Sequence, residues 1–354
     1  MSWIASIAHA IAEHGALVRV TLIRADGSTP RETGAGMLVG AGHIVDTIGG
    51  GALELEAIAH ARSLLAALAD GAAPWRREAR DFALGPSLGQ CCGGHARLLF
   101  ETFTAREQPW LEALTRAGCP DVALVLRPIA SGRPMEVAAS RKSEGEWPLA
   151  VTRGVREVLS GLRPREGMLI RGAKGEGAWF MEPLARLRVP LYLYGAGHVG
   201  RALVRVLYDL PFAVTWADTS PVRFPDPLPP QVRAEATADL PALASAAPAG
   251  AYHLVMTFSH ALDLAICHAV LRRGDFGHLG LIGSATKRAR FLHRLAQLGI
   301  AERTLARLSC PIGLPGIGGK EPAIIAVSVA AELVQLAVAG AKPATKDHAR
   351  GQLR

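Results

Sequence analysis

The chain has 354 residues, of which 49% are hydrophobic and 20% are charged. These values are typical of a folded protein with about two domains, and they exclude a small disulfide-stapled scaffold, a disordered chain and a fibrous repeat. Lysine and arginine outnumber aspartate and glutamate by 39 to 31, which favours anionic partners without choosing among nucleic acid, phosphorylated cofactor and acidic protein.

Residues 1–187 predict an N-terminal α+β domain. In chain order, the hydrophobic pattern predicts a helix over 1–16, a strand over 18–24, a strand pair over 36–45, a helix over 52–69 and a strand over 96–103. Residues 107–182 add another helix and several short strands. Whether this middle section extends the first domain or stands alone is left open.

Residues 188–354 predict a Rossmann-like domain, because strand and helix alternate regularly there. Strands are expected at 189–194, 212–217, 253–257 and 278–282, and helices at 198–208, 262–271 and 284–298. This alternation indicates a mostly parallel sheet covered by helices, and the overall fold class is therefore α/β. The prolines of residues 221–230 predict an extended loop after the second strand.

The chain is expected to lie in the cytoplasm. It has five cysteines and no C-x-x-C pair, and its first residues lack the pattern of a secretion signal. The apolar tract 323–341 contains Glu332 and Gln335, which suit an amphipathic helix better than a membrane span. Cys119, Cys267 and Cys310 lie in or beside apolar segments and are expected in the core. Basic residues are dispersed, so neither a nucleic acid nor a membrane is expected as a partner.

A glycine motif follows the first strand of the second domain. Gly195, Gly197 and Gly200 form G-x-G-x-x-G at the start of a helical pattern, where backbone amides could hold a pyrophosphate. Asp218 lies at the end of the next strand, where a carboxylate could bind a ribose hydroxyl. His198 is larger and more polar than the residue usual at its position. Both nucleotide binding and mere packing of helix against strand remain open.

Three consecutive glycines, Gly49, Gly50 and Gly51, open another predicted helix that has Glu54 in its first turn. A simple turn does not require three glycines, so a close approach to the backbone is the better reason for them. The approaching group is either a ligand or another segment of the chain.

A third glycine-rich stretch, residues 84–94, carries the adjacent thiols Cys91 and Cys92, followed by Gly93 and Gly94. Nearby amides could lower a thiol pKa and leave the sulfur nucleophilic or metal-binding. A packing thiol and a vicinal disulfide are the alternatives. A zinc site is not expected, since two neighbouring side chains do not easily share one tetrahedral ion.

Two further positions could meet a ligand. Lys320 follows glycines near the last helix, but Leu314 and Glu321 replace residues that a nucleotide-hydrolysing P-loop requires, so that class is excluded. Lys320 is either a phosphate contact or a solvated lysine. His260 and Asp263 follow a strand, and they either face the crevice of the sheet or cap the following helix.

Together these motifs resemble the XdhC/CoxI family of xanthine dehydrogenase accessory proteins. The resemblance runs from about residue 16 to 335 and rests on six segments in the order of the family: 27–31, 46–54, 85–94, 195–200, 282–284 and 310–322. One position departs from it, since Phe258 stands where the resemblance leads one to expect a histidine, which leaves His260 alone.

The resemblance implies a molybdenum cofactor chaperone rather than an enzyme. Such a protein binds Mo-molybdopterin, protects it, presents it to a cysteine desulfurase for exchange of an oxo for a sulfido ligand, and delivers it to the molybdenum-binding subunit of xanthine dehydrogenase. Cys91 or Cys92 is the candidate contact to molybdenum or to the exchanging sulfur. A homodimer is expected through an exposed sheet edge.

Two other functions remain open on the residues alone. The glycine motif and Asp218 fit an oxidoreductase that binds NAD or another nucleotide, and the adjacent thiols fit a sulfurtransferase.

Overall fold

The computed structural model describes residues 3–69, 77–84, 94–116, 123–129, 135–174, 176–185, 188–229 and 232–341. The chain divides into two compact units, Met1–Arg186 and Leu187–Arg354. The first unit is built on antiparallel sheets and the second on a parallel sheet. The mixed α/β class that the hydrophobic pattern predicts is therefore confirmed.

Two antiparallel sheets organise the N-terminal unit. Its elements are α1 (Trp3–His14), β1 (Leu17–Asp26), β2 (Gly36–Val39), β3 (Ile44–Asp46), α2 (Gly51–Ala69), β4 (Arg77–Leu84), β5 (Gly94–Phe103), α3 (Gln108–Arg116), β6 (Leu124–Pro128), β7 (Glu136–Ala138), α4 (Leu149–Leu159), β8 (Met168–Arg171) and β9 (Ala178–Pro183). One sheet has the order β3-β2-β1-β5-β4 and the other has the order β7-β6-β9-β8. The sequence pattern did not predict β4, and it predicted one helix where α3 and α4 occur.

The central strand β1 is buried on both faces. Val18, Val20 and Leu22 point to one side and form a core with α2 residues that include Leu53 and Ala57. Side chains alternate along a strand, so the residues between these valines and leucine point to the opposite side. Helix α4 covers the second sheet in the same manner. One buried face of β1 is therefore apolar, whereas the other carries Arg19 and Thr21.

The opposite face of β1 carries a buried charge network that connects the two sheets. Arg19 donates to Glu182 over 2.6 Å, and Arg77 donates to Glu101 over 2.7 Å. Arg127 contacts both carboxylates, and its Nη2 lies 2.5 Å from Glu182 Oε1. All five side chains are at most 4% exposed. Residues of the middle section, on β6 and β9, thus pair with residues of the first sheet inside one unit.

A six-stranded parallel sheet organises the C-terminal unit. Its elements are β10 (Val189–Tyr194), α5 (His198–Val206), β11 (Phe212–Asp218), a 3-10 helix (Pro221–Arg223), β12 (Val232–Ala236), α6 (Leu240–Ala246), β13 (Tyr252–Val255), α7 (His260–Arg273), β14 (His278–Leu281), α8 (Ala285–Gln297), α9 (Glu302–Leu305), β15 (Leu308–Ser309) and α10 (Pro322–Ala341). The strand order is β12-β11-β10-β13-β14-β15.

Helices cover both faces of this sheet. Residues of α5 and α10 form one core against it, and residues of α6, α7 and α8 form the other. The arrangement is doubly wound, with the topological switch point between β10 and β13. The predicted Rossmann-like sheet is confirmed. The extended loop predicted over residues 221–230 is wrong at its start, because Pro221 begins a 3-10 turn, a position where its fixed φ is favourable.

Helix α10 is anchored to the sheet by a carboxylate. Glu332 accepts hydrogen bonds from Ser309 Oγ over 3.1 Å and from the amide of Gly313 over 2.7 Å. Among the helices of the described residues, α10 is also the one long and apolar enough to cross a membrane by length and composition alone. That criterion is weak, since a core helix of a soluble protein can satisfy it. The contacts of Glu332 fit the predicted amphipathic helix.

We expect the buried charge network to dominate the stability of the N-terminal unit. Burial opposes ionisation of Glu101, but Arg127 and Arg77 outweigh that effect and lower the pKa of its carboxyl. The substitution Glu101→Gln removes the carboxylate that pairs with Arg77 and one of the two carboxylates that contact Arg127, and we expect it to lower the free energy of unfolding by about 3–5 kcal/mol. Urea denaturation measures the change.

The exposed residue Arg153 provides the control, because its side chain is 78% exposed and pairs with Glu157 on the surface of α4. We expect Arg153→Gln to leave the urea midpoint almost unchanged. Equal midpoints for Glu101→Gln and Arg153→Gln would contradict the assigned role of the network.

Two buried histidines predict a loss of stability in mild acid. Burial lowers the pKa of His253 to about 4, with a further contribution from Arg273, and burial also lowers the pKa of His278. An unfolded histidine titrates near pH 6.5, so the unfolded state binds more protons below that value. We expect full stability above about pH 6.5 and a progressive loss as the pH falls towards 4.

Urea midpoints at pH 7.5, 6.0 and 5.0 test this dependence. The variant His253→Gln removes one of the two titrating groups, so its midpoint should change less between pH 7.5 and 5.0. An identical pH dependence in the variant and the parent protein would show that His253 is not responsible.

Candidate functional site

Described residues of three glycine-containing motifs come together in the N-terminal unit. The loop of residues 28–31 lies between the glycines that precede α2 and the first residue of β5. A Cβ added to Gly49 would lie 2.4 Å from Pro30 Cβ, and one added to Gly94 would lie 2.3 Å from the carbonyl oxygen of Ser28. Arg31 also donates to the carbonyl of Thr47 over 3.4 Å. The fold thus joins segments that are up to 66 positions apart in the chain.

The three glycines at the start of α2 are required by the backbone. Gly49, Gly50 and Gly51 have φ values of 124°, 76° and 69°, and the nearby Asp46 has a φ of 64°. Residues with a Cβ rarely adopt this left-handed region. The close approach at Gly49 comes from Pro30, which is a segment of the chain, whereas a Cβ at Gly50 would meet nothing within 4 Å.

The amides of this loop converge on a carboxylate that the chain itself supplies. Glu54 Oε2 accepts from the amide of Ile48 over 3.1 Å, from the amide of Gly50 over 3.0 Å and from the hydroxyl of Thr47. Partial burial favours the protonated form, but these hydrogen bonds outweigh it and lower the pKa of Glu54. The anion held by the three-glycine loop is therefore Glu54.

The predicted thiol contacts cannot be placed. Cys91, Cys92 and Gly93 lie outside the described residues, as does Cys119. Gly94 begins β5 and is packed against Ser28, so the thiol-containing stretch ends beside the loop of residues 28–31.

The G-x-G-x-x-G motif of the C-terminal unit has three distinct geometric roles. Gly195 has a φ of 117°, and a Cβ there would lie 2.4 Å from the carbonyl oxygen of Met256. A Cβ on Gly200 would lie 2.2 Å from the carbonyl oxygen of Gly195, so this glycine permits close packing of α5. Gly197 precedes α5 without a side-chain cap, and a Cβ there would meet no atom within 4 Å. Only Gly197 leaves open space for a ligand.

Asp218 is engaged by its own loop. Its carboxylate accepts from the amides of Ala196 and Thr219, each over 2.7 Å, and its Oδ1 lies 3.3 Å from Arg223 Nε. The residue is only 3% exposed. In these contacts the carboxylate of Asp218 stabilises the glycine loop and the segment after β11.

The remaining predicted contacts are exposed at the ends of helices. His198 and His260 are the first residues of α5 and α7, which start on either side of the switch point. Lys320 is exposed in the segment before α10. Ser259, rather than His260 or Asp263, caps α7 through a hydrogen bond to the amide of Leu262.

Asp263 stabilises the loop between β13 and α7. Its Oδ1 accepts from the amide and hydroxyl of Thr257 over 3.0 and 2.7 Å, and its Oδ2 lies 2.7 Å from Lys287 Nζ. Lys287 also donates to the carbonyl of Ile282 over 2.9 Å. Asp263 is fully buried, so this pair connects the two loops that follow β13 and β14.

The two described cysteines are core residues, as predicted. Cys267 and Cys310 are buried free thiols, and burial raises the pKa of each. Neither thiol is therefore activated as a nucleophile. In the part of the chain that the structure describes, no group of three histidine, cysteine, aspartate or glutamate side chains could hold a metal ion.

Sequence reasoning missed one pair of residues in the crevice of the sheet. Arg223 lies over the ring of Phe258, with its guanidinium carbon 4.5 Å from the ring centroid. Arg223 belongs to the proline-rich segment after β11, and Phe258 follows β13, so the two are 35 positions apart. No local motif signals such a contact, although an aromatic residue in a polar strand-end loop is an unusual choice.

The two units together define an antiparallel α+β unit followed by a doubly wound domain with a glycine-motif crevice. Residues 191–333 match the model of the XdhC Rossmann domain, and residues 10–72 match the model of the XdhC and CoxI family. These two models together span more than half of the chain. The protein therefore belongs to the XdhC and CoxI family.

Two individual proteins are similar to the chain. The uncharacterized protein YqeB of Escherichia coli (strain K12) is 31% identical over 151 residues, which is 42% of this chain and 28% of YqeB. The chain thus matches less than a third of that relative's length. A crystal structure described as a xanthine dehydrogenase from Bacillus halodurans superposes with a TM-score of 0.73 over 98% of both chains at 21% identity. At this identity the likeness shows the fold alone.

Paired glycine substitutions test the geometry of the three-glycine loop. The Cβ that Gly50→Ala adds contacts no neighbouring atom, so the only cost is the strain of an alanine in the left-handed region. We expect a loss of about 1–2 kcal/mol in the free energy of unfolding. Gly49→Ala adds the contact with Pro30 and should cost clearly more. Denaturation midpoints of both variants measure the difference, and equal costs would contradict the packing of Pro30 against Gly49.

Proposed function

We propose that the protein is a xanthine dehydrogenase accessory protein that binds the molybdenum cofactor, protects it, supports its sulfuration and delivers it to the molybdenum-binding subunit of the dehydrogenase. Membership of the XdhC and CoxI family supports a role in maturation of that enzyme. The molybdenum cofactor is the cargo in this proposal, and the protein carries out no steady-state reaction of its own.

The observation that carries the proposal is the engagement of Asp218. A dinucleotide-dependent oxidoreductase of this fold uses the acidic residue after its second strand to bind ribose hydroxyls. Here both carboxylate oxygens are held by backbone amides and by Arg223, and the residue is 3% exposed. This geometry disfavours NAD as the ligand, so it weighs against the oxidoreductase and leaves the accessory role that family membership supports.

The crevice fits a phosphorylated cargo. Helix α5 begins at His198 after the uncapped Gly197, and a Cβ at Gly197 would fill open space. The unpaired amides of a helix N-terminus bind anions, and His198, His260 and Lys320 are exposed groups that can add donors to a phosphate. Binding in this proposal needs no movement of Asp218 or of the glycine loop.

The three-glycine loop plays a positioning part in the proposal. Gly49, Gly50 and Gly51 are held by Glu54, so this loop keeps its shape without a ligand and supports the neighbouring segment of residues 28–31. Cys91 or Cys92 would lie near molybdenum or the exchanging sulfur, and Gly93 and Gly94, which follow them in the sequence, would contact the cofactor in this proposal. A cysteine desulfurase would supply the sulfur.

Two features of the proposal concern assembly and location. The edge strand β3 has all three of its residues exposed, including Ile44 and Val45, and an exposed sheet edge can pair with a second copy. We therefore propose that the chaperone is a homodimer. We also propose that it is located in the cytoplasm, where its dehydrogenase partner and the desulfurase would meet it.

Anaerobic purification of the full chain tests the proposal. We expect molybdenum and pterin to co-purify, and we expect the double variant Cys91→Ser/Cys92→Ser to lose bound molybdenum or to stop supporting sulfuration of the dehydrogenase. The control is Cys267→Ala, because Cys267 is a buried core thiol and its loss should not affect the cargo. Metal analysis, pterin fluorescence and dehydrogenase activity measure these outcomes.

Two other results would contradict the proposal and favour a different function. Tight binding of NAD without pterin would favour the oxidoreductase. A persulfide on Cys91 or Cys92 without bound molybdenum would favour the sulfurtransferase.

A further inference from the structure

An exposed aromatic ring lies at the carboxyl edge of the parallel sheet. Phe258 is 65% exposed, and it follows β13 beside the switch point between β10 and β13. Its loop is rigidly held, because the neighbouring Thr257 donates both its amide and its hydroxyl to the buried Asp263. The ring therefore stands in the crevice on a fixed support, in the region where open α/β sheets bind their ligands.

A guanidinium group covers one side of this ring. The guanidinium carbon of Arg223 lies 4.5 Å from the centroid of Phe258, which is within cation–π distance. Arg223 is positioned by Asp218 over 3.3 Å, and its carbonyl accepts from Arg201 over 2.5 Å. Asp218 in turn binds the amide of Ala196 in the glycine loop. Consecutive contacts thus connect the aromatic ring to the glycine motif.

The charge balance around the ring favours an anionic ligand. Arg223 is 41% exposed in its side chain, whereas its partner Asp218 is 4% exposed, so the cation of this pair faces solvent and the anion does not. The ligand group that interacts most favourably with an exposed phenylalanine ring is a flat aromatic ring stacked on it in an offset arrangement. A planar heteroaromatic ring that carries a negative group satisfies both conditions.

We propose that Phe258 and Arg223 form a stacking platform that selects a phosphorylated cargo by its fused heteroaromatic ring, a pteridine or a purine, rather than by a sugar. The proposal rests on the cofactor-binding function proposed above and names how the cargo is recognised. Asp218 holds Arg223 and the glycine loop instead of a ribose, so the ring and the phosphate are the groups left for recognition. Phe258 is thus a specificity-determining residue of this chain.

Binding of defined ring compounds to the full chain tests the platform. The probes are neopterin monophosphate, which carries a pteridine and a phosphate, GMP, which carries a purine, and ribose 5-phosphate, which carries a phosphate but no aromatic ring. Pterin fluorescence and calorimetry measure binding. We expect at least one of the two aromatic compounds to bind, and binding of neopterin monophosphate to quench its pterin fluorescence. We expect ribose 5-phosphate to bind far more weakly. The stronger of the two ring compounds identifies the ring class.

Substitutions at the platform separate stacking from bulk hydrophobicity. Stacking on an aromatic side chain contributes about 1–3 kcal/mol per ring, so Phe258→Leu should weaken binding of the preferred ring compound by about 5- to 150-fold. Phe258→Trp should retain binding. Arg223→Lys keeps the charge but loses the planar group, so it should weaken binding of the preferred ring compound more than binding of ribose 5-phosphate. Leu298→Ala is the control, since Leu298 is 52% exposed beyond α8 and outside the crevice.

Two results would overturn the platform while leaving the chaperone intact. One is equal affinity of the parent protein and Phe258→Leu for the ring compounds. The other is no binding of either ring compound by parent protein from which its co-purifying molybdenum and pterin have been removed. Absence of molybdenum and pterin from the anaerobically purified parent protein would instead refute the proposed function. Melting temperatures of the variants, compared with that of Leu298→Ala, show whether each remains folded.

Discussion

Five charged side chains are buried between the two sheets of the N-terminal unit, and the pairing of those charges is the constraint on which that unit depends. A carboxylate or guanidinium removed from water is costly unless a partner and hydrogen bonds compensate it. Arg19 on β1 pairs with Glu182 on β9, and Arg127 on β6 pairs with Glu101 on β5, so ion pairs cross between the two sheets. Trp3 adds a ring 3.7 Å from the guanidinium carbon of Arg19, which brings α1 to the same network. The middle section is therefore part of the first unit for an electrostatic reason.

In both units, a carboxylate of the chain accepts hydrogen bonds from backbone amides of a glycine loop. In the N-terminal unit Glu54 accepts the amides of Ile48 and Gly50, and in the C-terminal unit Asp218 accepts the amide of Ala196. A carboxylate of the chain thus satisfies backbone donors that would otherwise need water or a ligand. Such loops are shaped before any ligand arrives, which lowers the ordering cost of binding. For a proposed carrier that must both hold and release its cargo, a loop with the same shape in both states is an advantage.

The elements that the sequence pattern predicted are those whose hydrophobic residues form a continuous run or recur at a regular helical spacing. The β10–α5–β11 unit and helix α8 follow from apolar runs and helical spacing. Strand β4 was missed because it alternates polar and apolar residues weakly, and its first residue, Arg77, is buried as one half of an ion pair rather than as a hydrophobic side chain. Strand β12 is likewise polar and half-exposed at the sheet edge. Burial driven by charge pairing leaves no hydrophobic signal in the sequence.

Sequence alone indicated that the backbone at residues 49–51 and at Gly195, where φ is positive, needs glycine, because backbone conformation is a local property. It also determined the parallel sheet, since strand and helix alternate along the chain. Only the tertiary structure decided which groups the acidic residues contact: Asp218 accepts from the amide of Ala196 in the glycine loop and pairs with Arg223, which lies over Phe258 from 35 positions away. The physical reason is that a carboxylate binds whichever donors the fold brings within hydrogen-bond distance, and those donors come from segments that are distant in sequence.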